Sequence, residues 1–191
     1  KSYNTQFETV DNEFTQIMDV ESVYAHENFH DNNTEVIYDI AVVVLSKRIT
    51  FSDYVTPVCV DWSGKYNVRN GAKGQIITWE FGEESSLSEA ALSYIDSKTC
   101  QNTYGFGPTK TLYYLADDKI CGISEMGHIA QIFYFGSGLT IAHYNNSHFL
   151  TGAGLDCNDI ENRTVVDFTD IKYHINWIRN IYIKYLDHDI P

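Results

Sequence analysis

The sequence predicts an all-β fold closed by one C-terminal α-helix, and three observations lead there. Apolar residues come in short runs bounded by polar, turn-forming stretches, as half-buried strands do. Fourteen tyrosines, ten phenylalanines and only three prolines, together with many Val, Ile and Thr residues, suit folded β-structure rather than a disordered segment. The apolar period changes only once, near the end of the chain, and strands do not alternate with helices.

Taken in order, Phe14 to His26 carries roughly alternating apolar positions, Ile17, Val20 and Val23, and reads as a half-buried strand. A polar loop, Glu27 to Glu35, follows. Val36 to Leu45 is a strongly apolar strand interrupted by Asp39. An ionised carboxylate there is costly unless hydrogen bonds or a partner charge hold it, or unless it sits in a solvated turn at the strand mouth. Tyr54 to Val60 reads as an extended connector, because Pro57 fixes its own φ and turns Thr56 away from helix. Lys65 to Lys73 is a turn-rich loop with Asn70-Gly71 at its tip.

Gly74 to Trp79 and Leu87 to Ile95 read as strands, Cys100 as part of a short helical turn, and Ile120 to Gly122 and Phe149 to Gly154 as later strands. Gly136-Ser137-Gly138 reads as a turn, because small residues gather in turns for backbone reasons. A nucleophilic serine is the alternative. From Asp167 to Leu186 the apolar residues Ile171, Ile175, Ile178, Tyr182 and Tyr185 recur every three or four positions, the signature of an amphipathic helix. Asp167, Thr169 and Asp170 offer side chains to its N-terminus.

At 191 residues the chain buries a sizeable core as one large domain or two small ones. Its net charge of -13, spread along the chain, repels a phosphate backbone and an anionic membrane surface, which disfavours nucleic-acid binding. No apolar run is long enough to span a bilayer. The four cysteines, Cys59, Cys100, Cys121 and Cys157, lack C-x-x-C spacing and an attendant histidine pair. They favour disulfides over zinc, and no metal or cofactor is expected. Sequons at Asn32, Asn145 and Asn162 sit in polar, turn-like surroundings that suit surface glycans. The first residues lack an initiator Met and any signal pattern, so the chain reads as mature, processed or truncated. Together these features favour a secreted, extracellular protein.

Several segments, in this order, resemble the trypsin-like serine proteases of chymotrypsin fold. Tyr38 to Leu45 is similar to the family's Asp-Ile-Ala-Leu strand, Tyr54 to Val60 to its Pro-Val-Cys connector, and Gly74 to Trp79 to the strand reaching its Gly-Trp-Gly turn. Ile120-Cys121-Gly122 resembles its Ile-Cys-Ala-Gly segment, and Val165 to Ile178 its closing strand and helix. Phe135 to Leu139, in place of an Asp-Ser-Gly-Gly-Gly/Pro-Leu loop, is most like insect haemolymph or salivary members, many of which are protease homologues without activity. The resemblance implies a double β-barrel over residues 1–191, with the first barrel incomplete in this chain. The catalytic histidine and activation site would lie upstream of Lys1. Neither His26 nor His30 fits that histidine; His26 matches a non-catalytic one.

The family's serine attacks a carbonyl, its histidine accepts the proton, and a buried aspartate orients the histidine. The resemblance places Asp39 at that aspartate. Counting back from Leu139 puts Phe135 in the nucleophile's place, Tyr134 at the preceding aspartate and Phe133 at the oxyanion-hole glycine. Sliding by two residues instead makes Ser137 the nucleophile, with Gly136 and Phe135 in the other two places. Either register loses the activation ion pair. Ile129 or Gln131 would form the base of the specificity pocket, Glu80 stands where the family has glycine, and Leu155 lies near its substrate-aligning serine. The resemblance also implies a Cys100–Cys121 disulfide and a bond from Cys59 to an upstream segment or light chain. Cys157 matches half of a pair whose other half is absent near Gln131.

The expectation is a secreted, catalytically inactive homologue that works by binding an unidentified protein, as cofactor, decoy or regulator in immunity, coagulation or blood feeding. The alternative is an active serine endopeptidase using Ser137, Asp39 and a histidine on an upstream chain. A small-ligand carrier with an aromatic-lined cleft is the third reading, supported only by aromatic richness.

Overall fold

The computed structural model describes residues 15–31, 36–79, 87–104, 116–124, 135–142, 147–160 and 163–186. The alternation of apolar residues is spent on a barrel. Strands β5 (Lys73–Trp79), β6 (Leu87–Ile95), β7 (Lys119–Ser124), β8 (Phe135–Ala142), β9 (His148–Ile160) and β10 (Arg163–Asp170) close in the order β10-β7-β6-β5-β8-β9. Every pair is antiparallel. Closure leaves the barrel wall without a free edge.

Residues two apart fill the interior: Leu92 and Tyr94, Leu139 and Ile141, Val166 and Phe168, with Ile76 and Ile120 between them. Ile77, the next residue along β5, points outward and is 44% exposed. Two glycines make the packing possible. A Cβ on Gly122 would stand 2.7 Å from Leu92 Cδ1, and one on Gly152 would stand 2.6 Å from Phe168 Cβ.

Helix α1 (Ser97–Tyr104) follows β6. The Asp96 carboxylate accepts the Thr99 N–H at 2.8 Å and so caps it, while Asn70 Nδ2 donates to the same carboxylate at 2.5 Å. A disulfide from Cys100 to Cys121 ties α1 to β7, its sulfurs buried beside Ile123 and Val165. It closes a loop worth about 3 kcal/mol on the chain-entropy view.

Before the barrel, β1 (Val20–Ala25) pairs antiparallel with β4 (Ala41–Leu45), and the short β2 (His30–Asp31) with β3 (Val36–Ile37). The connector is extended as expected and docks on the barrel, where the Cys59 N–H donates to His148 O and the Leu150 N–H to Cys59 O. Gly71 takes φ 84° at the tip of the expected turn.

Several elements differ from the sequence expectation. The helix α2 (Ile171–Leu186) starts at 171, not 167, because residues 163–170 are hydrogen-bonded to both β7 and β9. The Asp170 carboxylate caps it by accepting the Lys172 N–H at 2.8 Å. Gly136-Ser137-Gly138 is not a turn but part of β8, with Phe135 opposite Trp79 and Gly138 opposite Ile77. Small residues fit there because β8 is flanked closely on both sides, by β5 and β9. Val36 to Leu45 is two strands. The described part of Phe14 to His26 is a strand only from Val20, and Ile17, Val20 and Val23 are 65%, 55% and 60% exposed.

Gly152→Ala is expected to lower stability by about 1–3 kcal/mol, since the methyl meets Phe168 Cβ, which no rotamer change moves, and the backbone must shift to admit it. A denaturant midpoint equal to that of the parent protein contradicts it.

Candidate functional site

Asp39 is placed by a kink between two strands. Strand β3 ends at Ile37 because Tyr38 takes a φ of 53°, a left-handed value rare for a bulky side chain and costing about 1–2 kcal/mol. The Ile40 N–H then donates to Tyr38 O at 2.8 Å, closing a three-residue turn with Asp39 at its apex. The Asp39 side chain is exposed, in the solvated position that its apolar neighbours left open.

Three groups from the barrel hold this turn. Asp118 Oδ2 accepts the Tyr38 N–H at 2.7 Å. A hydrogen bond to a charged acceptor contributes about 1.5–3 kcal/mol, enough to offset the strain at Tyr38. The Thr169 hydroxyl donates to Asp39 O at 2.9 Å and accepts from Lys119 Nζ at 2.9 Å. From the N-terminal side, the His26 N–H donates to Ile40 O.

Asp118 is the buried carboxylate of the region, its side chain 3% exposed. Its Oδ2 also lies 3.1 Å from His174 Nε2, and Lys119 Nζ is 3.6 Å away. Burial pushes its pKa up. The His174 hydrogen bond, the Lys119 ammonium and the Tyr38 amide together outweigh that and hold it below the usual carboxylate range. Its Oδ1 is buried with no hydrogen-bond partner among the described residues.

Around this carboxylate the rings close up. His26 stacks on Trp177 at 4.7 Å, lies 4.6 Å from Tyr38 and meets His174 edge-on at 5.2 Å. Trp177 Nε1 donates to Glu27 at 2.9 Å. A second pocket lies at the start of α2, lined in part by Tyr66, Tyr94, Phe149 and Asp170. Burial pushes the Tyr94 phenol up to about 12 and raises Asp170 above the ordinary carboxylate range. The pocket's carboxylates are committed to the backbone: Asp170 caps α2, and Asp61 accepts the N–H groups of Ser63 and Tyr66.

The other expected site residues are placed unevenly. The Cys100–Cys121 disulfide forms. Cys59 is a half-buried free thiol in this chain, and His30 is exposed in β2. The backbones of Phe135 and Ser137 lie in β8, and those of Leu155 and Cys157 in β9. Glu80, Ile129, Gln131, Phe133, Tyr134, Asn32, Asn145 and Asn162 lie outside the described residues. Sequence reasoning missed Asp118 and His174. Their signal was present: a carboxylate at the threshold of an apolar strand, and a histidine inside the apolar stripe between Ile171 and Ile178.

A closed antiparallel barrel, a docked connector and a closing helix are the second half of the chymotrypsin-like architecture. A sequence model of the trypsin family, described as trypsin, matches residues 2–178. The chain belongs to the trypsin family. It is 26% identical over 172 residues to chymotrypsin-like elastase family member 1 of Felis catus, covering 87% of this chain and 63% of that protein. Phenoloxidase-activating factor 1 of Holotrichia diomphalia is 24% identical over 70% of this chain and 36% of its own length. The CLIP domain-containing serine protease HP8 of Bombyx mori is 28% identical over 47% and 26% respectively. The chain thus spans less than two thirds of the length of these curated relatives. Among the described residues, no helix is long and apolar enough to cross a membrane.

Asp118→Ala is expected to cost about 3–5 kcal/mol by leaving buried donors unpaired, with Asp118→Asn recovering part of the loss in chemical denaturation. The depressed carboxyl also sets a pH dependence. Its share of stability is present above about 3.9, the unfolded value, and is lost as pH falls through the lower folded value. Asp118→Asn is expected to remove that acid limb from the stability curve.

Proposed function

We propose that this is a secreted trypsin-family homologue that has lost catalysis and works by binding other proteins, as a cofactor, decoy or regulator in a proteolytic response. The observation that carries the reading is the placement of β8. Leu139 is fully buried opposite Ile76, and Phe135 stands opposite Trp79, with Ser137 in the irregular stretch between Phe135 and Gly138. A nucleophilic serine sits on a sharp turn between elements, whereas the Ser137 backbone belongs to β8. Counting back from Leu139 then assigns Phe135 to the nucleophile's place, and phenylalanine cannot be acylated.

Asn32, Asn145 and Asn162 are the proposed glycan sites. An upstream segment of the same protein is the proposed first partner. The β1/β4 ribbon presents Val23 beside Val43, 60% and 53% exposed, and Val20 at 55%. Covering each valine contributes about 1 kcal/mol, at roughly half the value of full burial. The relatives' greater length is in keeping with strands that would cover this face. Cys59, anchored at the β9 edge, is the proposed point of a covalent tether to that segment.

A fluorophosphonate is expected to leave the full-length protein unlabelled. Stoichiometric labelling that disappears in Ser137→Ala overturns the non-catalytic reading in favour of an active endopeptidase. Non-reducing peptide mapping of the same material is expected to find Cys59 in a disulfide with an upstream cysteine. Recovery of Cys59 as a free thiol rejects the tether.

A further inference from the structure

The N-terminal ribbon is fastened to α2 by a small set of contacts. Tyr185 Oη shares hydrogen bonds with Ser22 Oγ at 2.7 Å and Tyr24 Oη at 2.8 Å, and Lys184 lies over the Tyr24 ring. Trp177 reaches Glu27. At the centre is the imidazole of His26, 7% exposed, between Trp177 and Tyr38 and edge-on to His174.

The protonation state of that imidazole is written in its hydrogen bonding. His26 Nδ1 accepts the Asn28 N–H at 3.2 Å, so Nδ1 carries no proton and the ring is the neutral Nε2–H tautomer. A second proton can enter only at Nδ1. There it turns an acceptor into a donor aimed at another donor, inside a nearly closed ring cluster.

We propose that His26 is a pH-sensitive pin: its protonation loosens the joint between the β1/β4 ribbon and α2 and with it the Asp39 turn. The groups that face it have been weighed from each side. On its own turn, the Glu27 carboxylate lies 3.9 Å from Nδ1 and attracts a cation, but it is exposed, serves Trp177 and feels Lys184. From α2, the Trp177 face also favours a cation, while His174 opposes one. Behind His174 stands the Asp118 carboxylate, already shared among His174, the Tyr38 amide and Lys119. The Tyr173 phenol, raised above its ordinary value chiefly by its hydrogen bond to Tyr38, carries no charge in this range. Burial is the largest influence and pushes the His26 pKa down despite Glu27 and Asp118.

The sign follows from that direction. A base whose folded pKa lies below its unfolded value stabilises the fold while neutral, and the contribution fades as pH falls below the unfolded value of about 6.5. Among the joint's other contacts, Asp118 and Glu27 are both held below the usual carboxylate range. The Tyr38 ring packs against the imidazole and the His26 N–H donates to Ile40 O, so both ends of the Asp39 turn are joined to the pin.

The test is histidine-ring NMR titration of the full-length protein, with amide hydrogen exchange corrected for intrinsic rates. The His26 midpoint is expected below that of a free imidazole. The Asn28, Tyr38 and Ile40 amides are expected to lose up to about tenfold in protection per pH unit as pH falls from about 6.5 to that midpoint, and to level off below it. In His26→Phe, which keeps a ring but cannot titrate, this dependence is expected to vanish. A His26 midpoint at or above the free value overturns the proposal, as does a pH-dependent loss that survives in His26→Phe. Should the variant fail to fold, the ring titration of the unaltered protein decides alone.

Discussion

One carboxylate oxygen, Asp118 Oδ2, accepts the Tyr38 amide from the N-terminal ribbon and faces His174 Nε2 on the closing helix. A charge this deeply buried is expensive, and two hydrogen bonds with an ammonium at 3.6 Å are what make it tolerable. The consequence is architectural. The left-handed Tyr38 is strained on its own account, and the hydrogen bond from its N–H to Asp118 offsets that strain. Thr169 and Lys119 repeat the arrangement from β10 and β7, so the Asp39 turn is gripped by backbone and not by its own side chain.

The barrel has a different logic. Its interior is set by apolar volume at alternating positions and by two glycines that let Phe168 reach the centre. The Cys100–Cys121 bond sits in a second apolar cluster with Ile123 and Val165. Loops between the strands can change composition without disturbing either cluster, so one fold can carry different functions.

Much of this was legible in the sequence. Gly74 to Trp79 and Leu87 to Ile95 declare themselves by short apolar runs, the 70–71 turn by Asn-Gly, and α2 by its 3.6-residue period, because each signal is local. Where a signal depends on partners, it fails. Residues 167–170 look like the start of the helix until β7 and β9 claim their backbone. Gly136-Ser137-Gly138 looks like a turn until Gly138 pairs with both β5 and β9 and the two residues before it continue β8 to Phe135, opposite Trp79. Val20 and Val23 have the composition of buried positions, yet burial needs a second surface that period alone does not supply. Asp118 was the hardest, since its acceptor role is defined by Tyr38 and His174, 80 and 56 residues away.

These two logics together explain why an exposed aspartate remains at position 39. Tyr38 N, Asp39 O and Ile40 O are all tied, while the Asp39 side chain is exposed among the described residues. The turn serves as a strap that joins the ribbon to the barrel, and the residue at its apex needs only to tolerate a tight bend, which aspartate does. A strap of this kind holds the two parts of the molecule in a fixed relation whether or not anything between them is cut, and a surface that recognises another protein needs that same fixed relation.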